Sequence, residues 1–209
     1  MKNILPLIAL FFTYSAFGQV VINELDSDTP STDDKEFIEL KSTTSNFSLD
    51  GYVLVFFNGN MSSTTALKSY YTIDLNGLTT DANGIILIGN KLVSPTPDKI
   101  FPDNTIQNGA DGVGLYLGSS SDFPLDTLAT SVNLIDVLMY DTKDPDATEL
   151  MALLGVAIQY DEDQNNLKTT QSIQRKNDGT YETKSPTPGA NNDGSGIIFN
   201  GITISVNAV

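Results

Sequence analysis

Nine residues, Asp26 to Asp34, carry four aspartates, at positions 26, 28, 33 and 34. Carboxylates this dense in a short loop do one of two things. They converge on a hard cation such as Ca2+, which takes roughly six to eight oxygens with tolerant geometry. Or they form the solvated tip of a hairpin, since Asp, Ser, Thr and Pro are also common turn formers. Repulsion among four unpaired carboxylates favours a cation. A second acidic run, Asp161-Glu162-Asp163-Gln164-Asn165-Asn166, copies the opening of an EF-hand loop. Asp161, Asp163 and Asn165 supply the alternating oxygens. The glycine that the sharp turn needs is replaced by Asn166, and the closing glutamate by Ser172, so the match extends to a partial cation site only.

Other groupings suggest different chemistry. Asp28, Glu39 and Lys41 have the acid, acid and lysine of a Mg2+-dependent nuclease centre. That arrangement belongs on a mixed α/β core, and a net charge of −15 opposes a polyanionic substrate. Arg175 is the sole arginine of the chain, while Glu24 and Glu39 sit in apolar-flanked runs where an unpaired charge is costly. An ion pair from Arg175 to one of them, Glu39 rather than Glu24, is the structural expectation. The chain has no histidine and no cysteine. Serine and cysteine triads, most zinc sites and disulfide staples are therefore excluded. Any catalysis would have to run on carboxylates, lysine and hydroxyls, as in an acid-only metal-dependent hydrolase.

The elements that must position these groups are strands. Runs rich in Val, Ile, Tyr and Phe predict strands at 20–25, 35–41, 52–57, 70–75, 85–88, 113–117, 134–140 and 172–176. Tyr52 to Phe57 is apolar on both faces, which predicts a strand covered on both sides. Tyr70-Tyr71 and Phe56-Phe57 read as core, and the absence of Trp argues against a flat sugar platform. One helix is predicted, with Asp144 as N-cap, Pro145 in the first turn, Leu150, Leu153 and Leu154 on one stripe and Gly155 as the stop. Eight strands and one short helix imply an all-β sandwich. Residues 1–18 read as a secretory signal peptide: a lysine, an apolar core too short to anchor in a bilayer, and Ala-Phe-Gly before Gln19. Residues 19–194 form the sandwich, closing in a Pro- and Gly-rich stretch, 185–194, that cannot continue a ladder and reads as a linker. Residues 195–209 return to strand character, either as a last edge strand or as the start of a further domain.

VINEL (21–25), EFIEL (36–40), LDGYVLV (49–55), NGIILIG (83–89), DGVGLYL (111–117), LIDVLMY (134–140), SIQR (172–175) and SPTPGANN (185–192) fall in one order. Together they resemble the lamin-tail domain of exported bacterial proteins. The resemblance implies an immunoglobulin-like β-sandwich acting as an accessory module, found beside nucleases, hydrolases or adhesion repeats, with no shared catalytic residues. The chain departs from that pattern between Asp141 and Asn166, where the helix and the second acidic run are inserted. Asp126-Thr127-Leu128 resembles the short site at which some exported Bacteroidetes proteins carry an O-linked glycan on the threonine, here Thr127. The expectation is a secreted or surface-held, non-catalytic module of the bacterial envelope. It would bind a protein or a glycan or present a partner domain, with Ca2+ as the one cofactor the loops suggest. It would bind no nucleic acid and not be an integral membrane protein. A structural subunit that pairs by strand addition is the alternative.

Overall fold

The computed structural model describes residues 19–195. The signal segment and the strand expected at 197–206 lie outside the described residues. In chain order the strands are β1 (Val20–Asp26), β2 (Phe37–Ser42), β3 (Tyr52–Asn58), β4 (Ser69–Asp74), β5 (Ile85–Gly89), β6 (Lys99–Ile100), β7 (Asp111–Leu117), β8 (Leu134–Asp141), β9 (Tyr160–Asp161), β10 (Ser172–Arg175) and β11 (Tyr181–Lys184), with helix α1 (Thr148–Leu154) between β8 and β9. They form two sheets, ordered β11-β10-β1-β2-β5-β6 and β4-β3-β7-β8-β9. All pairings are antiparallel except β5–β6 and β8–β9. The all-β sandwich with one short α-helix is therefore what the described residues adopt, and none of the described helices is long and apolar enough to cross a membrane.

The main core lies between the sheets. Ile22, Leu25, Ile38, Leu40, Ile86, Ile88 and Ile173 from the first sheet meet Leu54, Phe56, Val113, Leu115, Leu138 and Tyr140 from the second. On β2, β3, β5, β7 and β8 these are alternate residues, as a pleat with one face inward demands, while on β1 the step from Ile22 to Leu25 crosses a bulge. The other side of β3 is buried too. Val53, Val55 and Phe57 join Tyr116 and Met139 under Leu150, Met151 and Leu154 of α1. The inserted helix is thus the cover that a doubly apolar strand requires. Its approach depends on Gly112 of β7, where a Cβ would stand 2.7 Å from Met139 Sδ and 3.4 Å from Leu154 Cδ1.

The helix differs from expectation at its start. Ala147, not Asp144, occupies the N-cap position, and no side chain caps it. The amide of Asp144 is taken by Asp141 Oδ1, which also accepts from Lys143, so a tight turn competes with the cap. The buried stripe is Leu150, Met151 and Leu154, with Leu153 turned out at 37% exposure. Gly155 ends the helix at φ +75°.

Candidate functional site

Two glutamates face each other on the outer side of the first sheet. Glu24 of β1 is the cross-strand partner of Glu39 of β2, and both are fully buried. The register of β1 shifts between Ile22 and Glu24, which leaves Asn23 as a bulge residue. Such a bulge brings two successive side chains to one face: Asn23 donates to Glu39 Oε1 at 2.7 Å, while Glu24 takes Ser172 Oγ at 2.6 Å and Gln174 Nε2 at 3.2 Å. The remaining donors come from residues 185–192. Thr187 gives Glu24 its amide and hydroxyl, at 2.8 and 2.6 Å, and Gly189 gives Glu39 its amide at 2.8 Å. Asn192 ties the same segment to Asn23 O and Arg175 O. The expected linker is therefore a clasp across the sheet. A segment that cannot form a ladder has free N–H groups, and here they serve carboxylates. Burial pushes both glutamates above the ordinary carboxylate range, and Glu24 adds to the push on Glu39.

Arg175 does not reach either glutamate. Its Nη1 pairs with Asp136 Oδ2 of β8 at 3.0 Å and meets the Tyr181 hydroxyl at 2.7 Å, with the guanidinium 5.3 Å from the Tyr181 ring centre. Asp136 also accepts the Ile22 amide. The ion pair expected within one sheet thus bridges the two sheets instead. Glu24 and Glu39 had no need of it, because hydroxyls, amides and backbone N–H groups already satisfy them.

The two acidic loops, read as separate sites, meet. Glu162 is fully buried and accepts the amide and hydroxyl of Ser27. Lys168 Nζ pairs with Asp28 Oδ2 at 2.6 Å, and that contact raises the lysine pKa. Asp33 accepts from Thr29 N and Asn108 Nδ2. Asp26 is buried with Oδ1 lacking any hydrogen-bond partner; burial first, then Glu162, holds its carboxyl well above the usual range. Asp34 is half-buried at the loop's surface end. In the second run, Asp161 Oδ1 accepts the Asp163 amide, Asp163 pairs with Lys143 at 3.6 Å, and Asn165 turns to Gln171 and Thr183. These three oxygen-bearing side chains are directed to different partners. No group of three or more acidic side chains among the described residues is arranged to hold a metal ion. Sequence inspection passed over Glu162 and Lys168, since the EF-hand spacing points to its neighbours and a lone lysine carries no signal.

Asp28, Glu39 and Lys41 do not form a nuclease centre. Asp26 pairs with Phe37 while Val21 pairs with Lys41, so Asp28 and Lys41 lie at opposite ends of the β1–β2 ladder. Thr127 belongs to the wall beside edge strand β4: its amide and carbonyl bond Ser69, and its hydroxyl donates to Pro124 O.

A groove of about 740 Å3 opens between the end of the clasp and the β10–β11 hairpin. Lys41, Arg175, Lys176 and Lys184 line it, with Glu182 and Asp193 as its only acids and Asn23, Asn177, Asn191 and Asn192 among its polar groups. Comparison with protein-family models, with curated proteins and with solved structures finds no match to this chain.

Proposed function

We propose that the chain is an exported, non-catalytic β-sandwich module that binds a protein or glycan at the bacterial cell surface. The observation that carries this is the groove, a concavity of about 740 Å3 lined by polar and cationic side chains on an otherwise acidic molecule. The paired carboxylates that would be needed for acid–base or metal-assisted hydrolysis support the same reading. Glu24 and Glu39 have no solvent exposure and are engaged by donors from β1, β10 and the clasp. A general acid or base must come within hydrogen-bond reach of its substrate, directly or through one water.

The test is a binding screen of the purified chain against immobilised surface glycans and envelope proteins, run beside hydrolysis assays on polysaccharide and nucleic acid. Saturable binding without turnover is expected. Turnover that disappears in Glu39→Gln, in a protein that still melts cooperatively, would replace the module with an enzyme.

A further inference from the structure

Building on the module reading, we infer that the groove between the clasp and the β10–β11 hairpin binds a short acidic oligosaccharide through uronic carboxylates. Charge is the first reason. Of the ten cationic residues among those described, four line this groove beside two acids, whereas the rest of the molecule sets six cations against 24 acids. The lining thus carries two more cations than acids; Arg175, Lys176 and Lys184 are paired with Asp136, Asp178 and Glu182, which leaves Lys41 as the lining cation without an ion pair among the described residues. Lys41 is the second. Its ammonium is anchored by neutral acceptors, Asn83 O at 2.6 Å and Asn191 Oδ1 at 2.5 Å; Glu39 and Asp193 sense its charge, but among the described residues no carboxylate lies within ion-pair distance of it. A lysine held in place without a carboxylate partner is preorganised for an incoming anion.

The neutral lining selects the rest of the ligand. Asparagine amides donate and accept, which matches sugar hydroxyls that do both. Among the described residues no aromatic ring lines the groove, so their recognition of a ligand is by hydrogen bonds and charge and not by stacking. The size is within the range of about 300–1,000 Å3 usual for ligand sites. The acidic surroundings set a limit on charge density. A long polyanion with a charge on every unit would extend beyond the groove into repulsive surface. A short uronate chain keeps its few carboxylates on the lysines.

Isothermal titration of the full chain with a short oligogalacturonate tests this, with three comparison ligands: the same oligosaccharide with its carboxyls reduced to alcohols, a sulfated oligosaccharide of equal length, and a single-stranded oligonucleotide. Uronate should bind saturably and weaken as salt rises. Lys41→Gln and Lys184→Gln should each lower affinity about tenfold, while Lys99→Gln, on β6 at the opposite edge of the sheet, should leave it unchanged. The Lys184 side chain is exposed and pairs with Glu182 rather than with the clasp, so that variant keeps the test valid if Lys41→Gln loosens the clasp. Uronate binding that neither lysine affects, equal binding of the reduced sugar, or tighter binding of sulfate or oligonucleotide overturns the proposal. Should no acidic ligand bind while a neutral glycan or a protein does, insensitive to both lysines, the groove assignment fails and the module reading survives.

Discussion

Arg175 shows how one residue can link both layers. Its pair with Asp136 is mostly buried, at 22% and 15% side-chain exposure, and shares Asp136 with the Ile22 amide. Removing it leaves a largely desolvated carboxylate without its cation. Arg175→Ala should cost about 2–3 kcal/mol in urea unfolding, and Arg175→Lys should restore only part of that, because an ammonium cannot keep both the carboxylate and the Tyr181 contacts. Asp26 should behave oppositely. Its unsatisfied Oδ1 and its repulsion from Glu162 make the ionised form unfavourable. Asp26→Asn should raise the thermal midpoint by a few degrees at pH 8 and change it little at pH 5. A wild-type midpoint that instead climbs on adding Ca2+, and loses that rise in Asp26→Asn, would mark the loop as a cation site.

Among elements, the clasp and α1 carry the unexpected roles. Thr187→Val should remove one donor from a buried carboxylate and cost about 1–3 kcal/mol, read as a lower urea midpoint at unchanged slope. Gly189→Ala should cost more, because the residue lies at φ +74° and a Cβ would stand 2.7 Å from Pro95 Cγ. Seven of the eight expected strands are five to eight residues long and were legible because β-branched and aromatic runs of that length leave few alternatives; the eighth, β10, is only Ser-Ile-Gln-Arg. β6, β9 and β11 were not: Lys-Ile, Tyr-Asp and Tyr-Glu-Thr-Lys are too short or too polar to show a period. The double burial of β3 could be read from Tyr52 to Phe57, yet which element covered it could not. The helix start was misplaced because Asp-Pro marks a turn as readily as a cap. At the candidate site, Asn-Glu inside an apolar run signalled buried carboxylates, but their partners come from about 150 residues away, a distance that no local pattern spans.

For the molecule as a whole, buried acids set the response to pH. Glu36 and Asp111 are both pushed by burial to about 7, from ordinary values of 4.5 and 3.8, although Glu36 accepts the Thr105 and Ile106 amides and Asp111 the Gly59 amide. A folded pKa above the unfolded one means that the native state holds its protons longer. That contribution is complete below about pH 4 and is lost as pH rises through about 7. Glu24, Glu39, Asp26, Glu162 and Asp136 shift the same way. The carboxylates that shift down, Asp50, Asp74, Asp178 and Asp193, lie at the surface, where solvent screens them. Thermal midpoints should therefore be highest in mildly acidic buffer and fall between pH 5 and pH 8, roughly the interval spanned by these values. Glu36→Gln with Asp111→Asn should flatten that fall. The clasp also bears on how such a chain acquires its shape. Thr187 sits 163 positions after the glutamate it serves, and β10 must return from almost as far to lie against β1. While the tail is still being synthesised, β1 has β2 on one side but nothing on the other, its glutamate lacks the clasp donors, and closure over so long a loop is slow. A polypeptide threaded amino end first through a narrow pore would stay slack until its last stretch arrived, and only then draw shut.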